Sequence, residues 1–67
     1  MTVEVGDILV WKDWRNRANP DLDEYFVIIE IDKDNRHPYL ALNLSRGGTE
    51  RFNGHGFNDV QFWERIA

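Results

Sequence analysis

Sixty-seven residues with twelve acids, eight bases and no cysteine give a net charge of −4, which excludes disulfide staples, thiolate metal sites and the basic field on which phosphate binders rely. A chain this short forms one domain, residues 1–67, and buries only roughly 60% of the surface it exposes when unfolded. Its core therefore leans on three Trp, four Phe and two Tyr, because each buried aromatic removes on the order of 150–250 Å² from water.

In chain order, Gly6-Asp7 is a turn signal ahead of a first β run ending at Trp11. Alternation places Ile8 and Val10 on one face of that run and Leu9 and Trp11 on the other. The stretch from Lys12 to Glu24 is polar, contains Asn19-Pro20-Asp21, and reads as a long loop. A second strand runs from Tyr25 to Ile31, with Val27, Ile29 and Ile31 on one face and Phe26, Ile28 and Glu30 on the other. A run that is apolar on both faces predicts a strongly bent central strand.

Asp32 to Pro38 is a turn, since Asp, Asn and Pro each supply turn geometry. The third strand, Tyr39 to Leu44, is expected to turn Leu40, Leu42 and Leu44 inward and Tyr39, Ala41 and Asn43 outward. Ser45-Arg46-Gly47-Gly48 reads as a hairpin connection. Gly54-His55-Gly56 is a break, and Phe57 to Val60 reads as one turn of 3-10 helix. The last strand then spans Val60 to Ile66, with Val60, Phe62 and Ile66 buried and Trp63 partly exposed. No window shows the 3.6 periodicity of a helix of about ten residues or more.

The chain is thus read as all-β: five short strands, a long first loop, tight later hairpins and a 3-10 turn before the last strand. On this layout it resembles the broad group of small SH3-like barrels whose first strand reads Val-Gly-Asp, here Val5-Gly6-Asp7-Ile8-Leu9. The resemblance continues through Ile29-Glu30-Ile31-Asp32 and His37-Pro38-Tyr39-Leu40-Ala41 into the Gly-rich hairpin and a terminal aromatic-acidic segment. The layout is also similar to that of small phage-encoded proteins and of the photosystem I subunit PsaE. That subunit docks an acidic carrier through basic residues, whereas this chain is acidic. The Ala-Leu-Tyr motif and Trp-Trp pair of peptide-binding SH3 domains are missing, so proline-peptide recognition is not implied.

Chemistry-bearing residues are sparse. His37 and His55 stand eighteen residues apart in separate loops, a spacing that matches no metal-ligand pattern. Ser45 has no neighbouring base, Lys12 and Lys33 read as solvated, and Asp21, Asp23 and Glu24 read as loop acids. No catalytic residue, metal or cofactor is expected, and the chain is read as not an enzyme. Asn43-Leu44-Ser45 matches a glycosylation sequon at a strand end, but Met1-Thr2-Val3-Glu4 lacks the features of a secretion signal. No apolar run approaches the ~20 residues of a membrane span. The expected setting is cytoplasmic, without membrane contact.

A binding role is expected from Trp11-Lys12-Asp13-Trp14-Arg15-Asn16-Arg17, which interleaves two tryptophans with three bases, Trp and Arg being among the residue types most enriched at interface hot spots. In SH3-like barrels the long first loop flanks the ligand surface, so the resemblance implies the same segment. Trp11, Trp14, Arg15 and Arg17 are the primary partner-binding candidates, with Tyr39 and Trp63 as secondary ones. The competing structural reading makes Trp11 and Trp14 a cap on one end of the barrel. The leading expectation is a non-catalytic protein-binding module, such as a phage-type inhibitor or adaptor of a host protein, monomeric or a small homo-oligomer. The alternatives are a nucleic-acid-binding barrel, disfavoured by the net acidity, and a structural subunit of a larger assembly.

Overall fold

The protein's structure is a computed structural model that describes residues 3–12, 23–54 and 63–67. Among the described residues five strands are found: β1 (Ile8–Trp11), β2 (Glu24–Ile31), β3 (Tyr39–Asn43), β4 (Thr49–Phe52) and β5 (Trp63–Arg65). They form one antiparallel sheet in the order β4-β3-β2-β1-β5. β4 and β5 are the two ends of that order, so the sheet has edges and is not a closed barrel. It is coiled enough for rings from both edge strands to meet: Phe52 of β4 and Trp63 of β5 lie 5.4 Å apart between centroids. The expected 3-10 turn lies outside the described residues.

The turn before β1 is bolted to β2. Asp7 Oδ2 accepts from the Glu4 amide at 2.8 Å, while the Gly6 amide donates to the Ile28 carbonyl and the Ile28 amide to the Asp7 carbonyl. β1 then pairs with β2 on one side, Leu9 opposite Phe26, and with β5 on the other, Trp11 opposite Trp63. The β2–β3 register slips between Ile28 and Glu30. A bulge of this kind bends a strand and changes which face later residues occupy. Ile29 is left exposed, while Ile31 packs against the core beyond the slip.

The core comprises Val3, Leu9, Phe26, Ile28, Ala41 and Trp63. Its centre is a three-ring cluster in which Phe26 meets Phe52 edge-on at 5.3 Å and Trp63 at 5.6 Å. Val10 is also buried, on the opposite side of β1 from Leu9.

Two face assignments are corrected. In β3 the buried residues are Ala41 and Asn43, while Leu40 and Leu42 are half-buried and Leu44 is exposed. The register explains the inversion. Residues directly opposite one another share a face, and Ala41 stands opposite Ile28 while Asn43 stands opposite Phe26. At the chain end Trp63 is 7% exposed and Ile66 52%, the reverse of the sequence expectation. Trp63 stands opposite Trp11, on the side that carries the ring cluster. Val60 and Phe62 lie outside the described residues.

The connections follow turn chemistry. Asp32 Oδ1 accepts from the Asp34 amide and Asn35 Oδ1 from the His37 amide, two Asx turns that carry the chain from β2 to β3. Between β3 and β4, Gly47 and Gly48 both take positive φ, at 82° and 81°, a region costly to residues with a Cβ.

Gly54, just after β4, has φ +87°, and a Cβ there would sit 2.5 Å from Cε2 of Tyr39. Gly54→Ala is therefore expected to cost more than the roughly 1–2 kcal/mol of the left-handed conformation alone, because the Tyr39 ring must also move. Urea denaturation checks this, and an unchanged midpoint would refute the close approach.

Surface ion pairs join Lys12 to Glu64, Arg65 to Asp7 and Arg51 to Glu30. Pairs in such exposed positions add little stability. The hydrogen bond to Glu64 holds the Lys12 ammonium above its ordinary pKa of 10.5. That contribution is present below the ordinary lysine pKa and is lost only as pH rises through the folded value.

Candidate functional site

The inner face of the sheet does not end with the core. Register carries that face to residues a polarity pattern would assign to solvent. On β2, Glu24 lies two residues from Phe26 and opposite Trp11. On β4, Glu50 lies two residues from Phe52 and opposite the fully buried Ala41. Side chains two apart on a strand share a face, so both glutamates stand on the side that carries the core.

Beside them opens a groove of about 430 Å³. Its aromatic lining is Trp11, Phe26, Phe52 and Trp63, its acidic lining is Glu24 and Glu50, and Asn53 and Gly54 complete the wall. The volume falls within the range of about 300–1,000 Å³ typical of ligand pockets. Phe26 and Trp63 are nearly covered and form the floor, whereas Trp11 and Phe52 are half-buried.

The two carboxylates differ in their partners. Glu24 Oε1 accepts from Arg46 Nε at 2.9 Å and from Asn43 Nδ2 at 3.4 Å. The Arg46 side chain is itself 79% exposed, so a guanidinium rests on the rim from outside. Glu50 is exposed and makes no ion pair among the described residues.

Asn43 holds this corner of the site together. It is 3% exposed, and its Oδ1 accepts from the amides of Ser45 and Arg46, each at 2.9 Å. Its backbone closes the hairpin, with its amide donating to the Gly48 carbonyl and its carbonyl accepting from the Gly47 amide. The sequon asparagine is thus a buried, hydrogen-bonded residue.

Of the residues singled out from sequence, the structure brings Trp11 and Trp63 together in the groove. Tyr39 is half-buried, packs against the core and lies beneath Gly54. Trp14, Arg15 and Arg17 lie outside the described residues. Glu50 was missed and Glu24 was read only as a loop acid, and the signal available was their two-residue spacing from Phe52 and Phe26. Among the described residues no three His, Asp or Glu side chains converge as a metal site would require, and no helix is long and apolar enough to cross a membrane.

Comparisons with protein-family models, curated proteins and solved structures each return no match.

Proposed function

We propose that the chain is a non-catalytic protein-binding module, an open variant of the SH3-like plan, that acts as a phage-type inhibitor or adaptor by docking a partner in the aromatic-acidic groove. The strand order and the long connection between β1 and β2 support the plan. The observation that carries the binding reading is the groove itself, with tryptophans at positions 11 and 63 and two carboxylates at 24 and 50. Apolar surface left open beside polar residues marks interaction sites, and here the half-buried rings of Trp11 and Phe52 border the exposed Glu50, tryptophan being among the residue types that dominate interface energetics.

The same carboxylates argue against nucleic acid. A base stacked on Trp11 would bring its phosphates toward Glu24 and Glu50, in a chain of net charge −4. Coulomb repulsion then opposes the counterion-release gain that drives such binding. A basic protein surface meets the opposite situation and is steered inward.

The test is affinity capture from nuclease-treated lysate of the encoding host, with wild type and Glu50→Lys side by side and a gel shift on single- and double-stranded nucleic acid. Wild type is expected to retain a stoichiometric protein partner that Glu50→Lys loses at least tenfold, with no gel shift. A salt-sensitive shift without a protein partner would establish the nucleic-acid reading instead. Recovery of this chain alone, as a stable homo-oligomer, would establish a structural subunit.

A further inference from the structure

The groove's chemistry narrows what can enter it, and Arg46 shows part of the answer. A guanidinium is a planar cation with five donors, weakly hydrated, and able both to stack on an aromatic face and to bond a carboxylate. The chain already places one such group on Glu24, at 2.9 Å, from the solvent side. On the same lining Glu50 offers a second carboxylate, exposed and without an ion pair among the described residues. Trp11, half-buried on the same lining, supplies the aromatic ring type that attracts cations best.

We propose that the groove is an arginine-reading site, in which one arginine side chain of the partner enters beside Trp11 and is neutralised by Glu50. The inference rests on the protein-binding reading above and deepens it by naming the group recognised. Charge complementarity selects the occupant: a carboxylate-bearing or neutral apolar segment would leave Glu50 unpaired against aromatic surface, at a desolvation cost with nothing to offset it. Lysine meets the charge but lacks the planar fork that fits ring and carboxylate together. Arg46 keeps Glu24 engaged, so Glu50 is left to discriminate.

Because Glu50 lies on an edge strand, its inward charge has a competing role: charged residues turned inward on edge strands keep edges from pairing with other chains. The two roles separate experimentally. The full chain, labelled with nitrogen-15, is titrated with a capped Gly-Gly-Arg-Gly-Gly peptide and with the same peptide carrying lysine or citrulline. Wild type and Glu50→Gln are compared, after thermal melts and sedimentation establish folding and oligomeric state.

The expected result is saturable movement of the Trp11 indole signal with the arginine peptide, at roughly millimolar affinity, and weaker binding with lysine, which keeps the charge but lacks the planar fork. Citrulline, which keeps the shape and loses the charge, and Glu50→Gln are each expected to weaken binding at least threefold. Equal response to arginine and citrulline would overturn the proposal, as would a Glu50→Gln variant that binds like wild type. A folded Glu50→Gln that self-associates while binding the peptide unchanged would assign Glu50 to edge protection and likewise overturn it. Should the captured partner bind Glu50→Gln as tightly as wild type, the arginine site fails while the protein-binding reading stands. Absence of any protein partner defeats the reading beneath it.

Discussion

Phe26→Ala is expected to leave the protein largely unfolded at 25 °C. Phe26 is 3% exposed and touches both other rings of the central cluster, at 5.3 and 5.6 Å. Truncating a buried Phe costs about 3–5 kcal/mol through lost transfer free energy and the cavity left behind. A chain of this length has a total stability of only roughly 3–10 kcal/mol, at about 0.05–0.15 kcal/mol per residue. The effect is enlarged because the cluster joins β2 to both edge strands, through Phe52 of β4 and Trp63 of β5. Near-UV circular dichroism and a urea titration read the outcome. Phe26→Leu, which refills part of the volume, is expected to recover much of the loss. A Phe26→Ala protein that melts like wild type would show that the three rings are not the keystone.

Asn43→Ala has the next largest expected effect, a loss of about 1–3 kcal/mol, the usual cost of removing a hydrogen-bonding partner from a buried site. The side chain bonds the amides of Ser45 and Arg46 and also donates to Glu24. Its removal loosens the turn that delivers β4, and with it the position of Glu50. Asn43→Asp separates the two duties. It keeps an acceptor for both turn amides but sets a carboxylate against Glu24, so its penalty is expected to shrink as pH falls and the introduced carboxyl protonates. An Asn43→Asp variant whose stability deficit is independent of pH between 3 and 7, values spanning the ordinary carboxyl range, would contradict the contact with Glu24.

The legible parts of this fold are those where local signals agree. Ile8 to Trp11, Tyr25 to Ile31 and the Gly47-Gly48 hairpin could be read directly, because β-rich runs and turn residues do not depend on distant partners. β3 could not. Three leucines at alternate positions outweigh Ala41 and Asn43 in any local count, but its face is set by which residues of β2 stand opposite, Ile28 and Phe26. A one-residue change in register inverts every side chain, and although the run apolar on both faces points to a bent β2, no local signal marks the place of the slip between Ile28 and Glu30. Trp63 was misplaced for the same reason, since its partner across the ladder is Trp11.

The candidate site was half legible. Trp11 stood out as an aromatic at a strand end, and Trp63 as a secondary candidate. Glu24 read as a loop acid and Glu50 drew no reading at all until register placed them beside Phe26 and Phe52 on the inner side. The residues that give the groove its chemistry are therefore those whose local pattern conflicts with the face they occupy, as functional positions tend to do.

Docking of the partner in the groove is legible in the tryptophans themselves. It is tested most directly by fluorine-19 spectra of the protein labelled with 5-fluorotryptophan, whose three tryptophans are Trp11, Trp14 and Trp63, assigned by Trp→Phe substitution and recorded with and without the captured partner. The Trp11 resonance is expected to move most, and that of Trp63 to move with it. Movement of Trp14 alone, with Trp11 and Trp63 unchanged, would place the interface on the first loop and rule out docking in the groove.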